Sequence, residues 1–161
     1  MLAPRLIDLA RTRGVKIATA ESCTGGMISA ALTDLAGSSD MFDRGFVTYS
    51  NAAKMAMLGV RAETLSAFGA VSEQVAAEMA AGALARSDAA LAVSVTGIAG
   101  PGGSEFKPEG RVCFGLVMTG WNVTGRATAT ETVEFGPLGR GKVRIATVDH
   151  ALTLLLAALE R

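Results

Sequence analysis

Val15-Lys16-Ile17-Ala18-Thr19-Ala20-Glu21-Ser22-Cys23-Thr24-Gly25-Gly26 leads directly into Met27-Ile28-Ser29-Ala30-Ala31-Leu32-Thr33-Asp34-Leu35. Val15 to Ala20 reads as a β-strand, and Gly25 to Leu35 as an apolar, Ala-rich helix. Strand, tight turn and helix in that order put Ser22 at the carboxyl end of a strand. The free backbone N–H groups of a helix N-terminus follow it. Those groups and the helix dipole suit an anion, whether a phosphate or a developing oxyanion. Gly25 and Gly26 allow a ligand to come close to the backbone. A Ser22 or Thr24 that only caps the helix fits the same pattern, so this stretch alone leaves both readings open.

Outward from it, helices and strands alternate through the first hundred residues. Leu2, Leu6, Leu9 and Ala10 have helical spacing, and the helix over 2–13 stops at Gly14. Phe42 to Tyr49 reads as the second strand. Ser50 or Asn51 caps a helix that passes through Lys54 and ends before Gly59. Further helices are expected at 61–68 and 75–86, the latter opened by Ser72. Ala89 to Thr96 is a continuous apolar strand of the kind buried on both faces. Two antiparallel strands, 110–119 and 124–135, join near Gly120-Trp121-Asn122, and a helix from Leu138 or Arg140 to Leu159 closes the chain. The order predicts a three-layer α/β/α sandwich with a mixed central sheet.

The chain has 161 residues, enough to bury a sizeable core, and is expected to form one domain over 1–161. Its 15 basic and 15 acidic side chains balance, which makes no electrostatic case for nucleic acid or an acidic membrane surface. No apolar run approaches the roughly 18 residues of a membrane span, and the N-terminus lacks the apolar stretch of a secretory signal. Cys23 and Cys113 match neither a metal-ligand nor a disulfide pattern. A cytoplasmic enzyme or binding domain is the expectation.

Catalytic partners are few. The one histidine, His150, sits in the closing helix among Val148, Ala151, Leu152 and Leu154, a structural setting. A side-chain nucleophile would therefore need another base. Lys54 falls in the first turn of a helix, where the dipole disfavours a cation, and Met55, Ala56, Met57 and Leu58 follow it. Dipole and desolvation both lower its pKa. Acting as a base near pH 7 requires roughly 4 to 5 kcal/mol of such help; a solvated surface lysine is the other reading. Tyr49, five residues before Lys54, can relay a proton or orient the nucleophile, or be an edge-of-core aromatic. Cys23 is a rival nucleophile beside Ser22.

Two further glycine-rich segments stand out. Gly97-Ile98-Ala99-Gly100-Pro101-Gly102-Gly103 ends an apolar strand but lacks dinucleotide-fingerprint spacing. Gly136-Pro137-Leu138-Gly139-Arg140-Gly141-Lys142-Val143 nearly matches a P-loop. It fails at Val143, where Ser or Thr would hold magnesium, so nucleoside triphosphate hydrolysis is rejected. A Gly-Arg-Gly-Lys turn at a helix start remains a plausible phosphate seat.

Four segments in order, 20–26, 44–51 with Lys54, 69–72 and 94–101, resemble the CinA C-terminal domain family. Its enzymatic members are nicotinamide-nucleotide amidohydrolases. The resemblance implies hydrolysis of nicotinamide mononucleotide to nicotinic acid mononucleotide and ammonia in pyridine nucleotide recycling. It implies a serine nucleophile, a lysine base and a tyrosine, which map onto Ser22, Lys54 and Tyr49. Glu21, Thr24, Gly25, Gly26, Thr96, Gly97 and Gly100 are expected to bind substrate. So is an arginine of the last helix, for which Arg140 and Arg144 are both matches. No metal and no cofactor are expected, and the family implies a homodimer or a larger assembly of dimers. The rival function is a non-catalytic nucleotide-binding or regulatory domain linked to competence or DNA damage.

Overall fold

Helix α1 (Leu2–Arg13) ends where Gly14 takes φ +63° and Val15 N–H returns to the Ala10 carbonyl at 2.9 Å. That closure uses Val15, so β1 runs Ile17–Glu21, later than the expected 15–20, and is buried throughout. The computed structural model describes residues 2–104, 106–120 and 128–161. Gly25 and Gly26 adopt φ +57° and +107°, values a right-handed helix does not contain. Helix α2 is therefore Met27–Thr33, not 25–35.

After a 3-10 turn at Ser38–Asp40 come β2 (Phe42–Val47), α3 (Asn51–Leu58), α4 (Ala62–Phe68) and α5 (Glu73–Ala85). Ser50 Oγ accepts from Ala53 N–H and Ser72 Oγ from Val75 N–H, so both expected caps form. Thr48 N–H makes the last rung to the Glu21 carbonyl; Tyr49 has left the sheet, which shortens β2 from the expected 42–49. The chain continues with β3 (Leu91–Gly97), β4 (Arg111–Met118), β5 (Ala129–Glu134) and α6 (Arg140–Leu159). The expected turn at Trp121-Asn122 and the strand start at 124–127 lie outside the described residues.

The five strands form one mixed sheet in the order β2-β1-β3-β4-β5. β1 is parallel to β2 and to β3, whereas β4 is antiparallel to both its neighbours. The period-2 alternation of strand side chains sorts the core into two faces. Ile17, Val93, Val95 and Phe114 meet Leu6, Ile28, Val143 and Leu155 of α1, α2 and α6. Ala18, Ala20 and Ala92 meet Leu58, Val75 and Met79 of α3 and α5. The second face is built from small residues, so α5 lies close: Ser94 Oγ donates to the Ala76 carbonyl at 2.6 Å, and a Cβ on Gly115 would run into that carbonyl. The connection from β1 goes to β2 on one side, and β3 lies on the other. The crevice at the carboxyl ends of β1 and β3 is thus a topological switch point, where open α/β sheets bind ligands.

Candidate active site

Ser22 follows β1 directly, and its N–H donates to the Val95 carbonyl of β3 at 3.1 Å, which pins the turn to the switch point. Lys54 arrives from α3. It is 1% exposed, and its Nζ lies 2.9 Å from Ser22 Oγ, 2.9 Å from the Thr48 carbonyl oxygen and 3.3 Å from the Tyr49 carbonyl oxygen. No carboxylate pairs with it among the described residues. Burial pushes its pKa below the usual lysine value, and the first-turn position in α3 acts in the same direction. A neutral amine here donates its two N–H groups to the two carbonyls. Its lone pair is then left facing Ser22 Oγ, the geometry of a base that accepts a hydroxyl proton.

A cavity of about 210 Å³ opens on this pair, lined also by Cys23, Tyr49, Asn51, Val71, Thr96, Gly97, Ser104 and Arg140. That volume lies below the roughly 300 Å³ at which drug-sized ligands are usually enclosed. It would take a ring-sized group. Arg140, exposed in the first turn of α6, stands at the mouth of the cavity. Its Nη1 donates to the Gly100 carbonyl at 2.7 Å and its Nη2 to the Tyr49 hydroxyl at 2.8 Å. Glu109, for which the sequence offers no signal, joins the same rim. It accepts from Gly102 N–H and Gly139 N–H, tying the glycine loop after β3 to the start of α6.

The expected site residues separate into those at the cavity and those behind it. Ser22, Lys54, Tyr49, Thr96, Gly97 and Arg140 line it. Thr96 Oγ1 is occupied by the Ala70 carbonyl at 2.8 Å. The Tyr49 phenol, expected to relay a proton or orient the nucleophile, accepts from Arg140 Nη2, and the Tyr49 carbonyl meets Lys54. Glu21 and Thr24 do not line the cavity. Glu21, 0% exposed, accepts from Thr24 Oγ1, Ile28 N–H, Ser29 N–H and Ser29 Oγ, and so caps α2 from the end of β1. Gly25 and Gly26 shape the turn behind the cavity, and Gly100 enters only through its carbonyl. Arg144 also points to the turn and not to the cavity: Nε donates to the Cys23 carbonyl at 3.0 Å and Nη2 to the Thr24 carbonyl at 3.2 Å.

The rival chemistries find little support. Cys23 is buried, which pushes its thiol up to about 11, so it is protonated at neutral pH. His150 contacts Glu131 and packs edge-on against Phe114, with ring centroids 4.6 Å apart. It does not line the cavity. Among the described residues no group of three or more His, Cys, Asp or Glu is placed to hold a metal ion, and no helix is long and apolar enough to cross a membrane.

The sequence model of the CinA C-terminal domain matches residues 1–159. A CinA-like protein of Chlorobium phaeobacteroides is 53% identical over 150 residues, 91% of this chain and 34% of that protein. The chain therefore spans about a third of the length of that relative. The nicotinamide-nucleotide amidohydrolase PncC of Escherichia coli K12 is 57% identical over 118 residues, 72% of each chain. The crystal structure of competence/damage inducible protein CihA from Agrobacterium tumefaciens superposes with a TM-score of 0.91 at 50% identity, covering 99% of this chain and 94% of that one.

Proposed function

This chain belongs to the CinA C-terminal domain family, and on that premise we propose that it is a nicotinamide-nucleotide amidase, converting nicotinamide mononucleotide to nicotinic acid mononucleotide and ammonia in the cytoplasm. The observation that carries the reading is the buried Lys54 amine, without an ion partner among the described residues, 2.9 Å from Ser22 Oγ. Ser22 Oγ attacks the carboxamide carbon. The O–C bond forms, the serine proton passes to Lys54 Nζ, and the carbonyl electron pair moves onto oxygen. When that pair returns, the C–N bond breaks and Lys54 gives its proton to the departing nitrogen, which leaves as ammonia. Water, deprotonated by the again neutral Lys54, then splits the ester and frees Ser22. Backbone N–H groups after Ser22 stabilise the oxyanion in both halves.

The test is incubation of the pure protein with nicotinamide mononucleotide, measuring ammonia and nicotinic acid mononucleotide with and without a chelator. Equal release of both products, unaffected by chelator, is expected. Binding without turnover would leave a nucleotide-binding domain instead.

Arg140, at the mouth, is the phosphate ligand in this reading; Arg144 is not. Losing a charged hydrogen bond is worth roughly 1.5 to 3 kcal/mol. Arg140→Ala should therefore raise KM for the mononucleotide about ten- to hundredfold and leave kcat close to its parent value. The phosphate-free riboside, turned over by both proteins, should show no such difference. An unchanged KM for the mononucleotide would move the phosphate to the glycine loop after β3.

A further inference from the structure

Arg144 holds two consecutive carbonyls of the turn that carries Ser22, and no ligand role is left for the groups so engaged. A trans peptide is planar, so a carbonyl and the N–H of the same unit point in opposite directions. The Cys23 carbonyl drawn toward α6 sets the Thr24 N–H on the side away from α6. The Thr24 carbonyl drawn the same way sets the Gly25 N–H, which donates to the Ser22 carbonyl at 3.1 Å. That last bond sets the Ser22–Cys23 plane and with it the Cys23 N–H. Met27 N–H shares the Thr24 carbonyl at 3.0 Å, so the guanidinium reinforces that plane, and it alone holds the Cys23–Thr24 plane among the described residues. Thr24 N–H is left without a hydrogen-bond partner among the described residues, and Cys23 N–H meets only its own thiol sulfur. Gly25, at φ +57°, is the residue at which such a turn would otherwise rotate, and the position of its absent Cβ lies 3.5 Å from Arg144 Nη2.

We propose that Arg144 is a positioning residue that keeps the Cys23 and Thr24 N–H groups oriented as the oxyanion hole of the Ser22 reaction. The inference rests on the amidase reading above. It assigns the two arginines of the last helix different tasks, Arg140 toward the substrate and Arg144 toward the backbone. Arg144 meets the two carbonyls through two separate nitrogens, Nε and Nη2, held in one plane, so lysine with its single nitrogen is not an equivalent replacement.

The experiment compares wild type, Arg144→Lys and Arg144→Ala in two assays: ammonia release from nicotinamide mononucleotide, and labelling of Ser22 by a fluorophosphonate. In the second, an O–P bond forms, the P–F bond breaks, fluoride departs and the serine proton goes to Lys54. Removing a single oxyanion donor lowers kcat about 10²- to 10³-fold. Misaligned donors should lower it about ten- to hundredfold in Arg144→Ala and less in Arg144→Lys. KM should change by less than about threefold, because the contact strengthens only in the transition state. The labelling rate should fall in parallel with kcat. The pH midpoint of labelling should stay where wild type has it, because Lys54 is untouched. Added guanidinium ion should restore part of the Arg144→Ala rate.

A kcat within twofold of wild type overturns the proposal. So does a rise in KM equal to the fall in kcat/KM, which would make Arg144 a substrate ligand, or a displaced pH midpoint, which would mean general distortion of the site. If Arg144→Ala does not fold, the same criteria apply to Arg144→Lys. A wild type that labels at Ser22 but releases no ammonia refutes the substrate and leaves the labelling series to decide on Arg144. A wild type that does neither overturns both.

Discussion

Lys54→Met yields a folded protein whose ammonia release is lower by about 10²- to 10⁴-fold, the range attached to a general base. Methionine has nearly the length of lysine and no charge, so it fills the same buried channel between Ser22 and the Thr48 and Tyr49 carbonyls. Lys54→Arg fails for a second reason: guanidinium does not lose its proton near neutrality and cannot be buried there without a partner. In wild type the rate rises with pH through the lowered pKa of Lys54 and then levels off. Stability carries the same signature. Between that lowered value and the ordinary 10.5 the unfolded chain holds more protons at this residue than the folded protein does. Unfolding free energy from this group therefore rises with pH across that window and is flat on either side. In Lys54→Met that contribution to the slope disappears. The measurement is a pair of pH series, kcat and denaturant midpoint, for both proteins. A Lys54→Met variant with near-parent turnover would remove Lys54 from the mechanism.

Ser22→Ala is expected to lose turnover by on the order of 10⁴-fold or more, the scale seen when the nucleophile of a covalent hydrolase is deleted. Cys23→Ala, one residue on, keeps most of it. The contrast follows from position and protonation. Ser22 Oγ faces the amine that can take its proton, whereas Cys23 packs in the core beside α2 and α6 with a thiol pushed up to about 11. Cys23→Ala gives up some buried volume and so some stability, on the order of 1 kcal/mol, the scale of a small core truncation. The deciding readout is mass spectrometry of the acyl-enzyme trapped from nicotinamide mononucleotide, with the adduct on Ser22 in wild type and in Cys23→Ala. Activity that survives Ser22→Ala and dies with Cys23→Ala would reverse the assignment.

The strand-turn-helix around Ser22, the buried strand before Gly97 and the capped helix carrying Lys54 were all legible in the linear chain. Each rests on features within a few residues: the continuous apolar run of β3, glycines at positive φ in the turn, and Ser50 accepting from Ala53 N–H. So does the exclusion of His150, since a lone imidazole among Val148, Ala151, Leu152 and Leu154 of a core-facing helix has little to act on. Even the family resemblance is local in this sense, four short segments in a fixed order.

What the chain order alone left open was which side chains meet. Ser22 and Lys54 are 32 positions apart, and Tyr49 and Arg140 are 91 apart. Their contacts exist because β1 lies between β2 and β3, bringing one turn, one helix start and the head of α6 to a single sheet edge. The same geometry leaves several residues expected to bind substrate behind the cavity. Glu21 and Thr24 turned inward because a carboxylate at the end of β1 is best satisfied by the unpaired amides of α2. Arg144 turned to the backbone because it sits one helical turn after Arg140, beside Cys23 and Thr24 and not at the mouth. Hydrophobic periodicity determines which face of an element is buried. The partner of a polar group is decided only when burial removes water and leaves whichever donor or acceptor the packed neighbours supply.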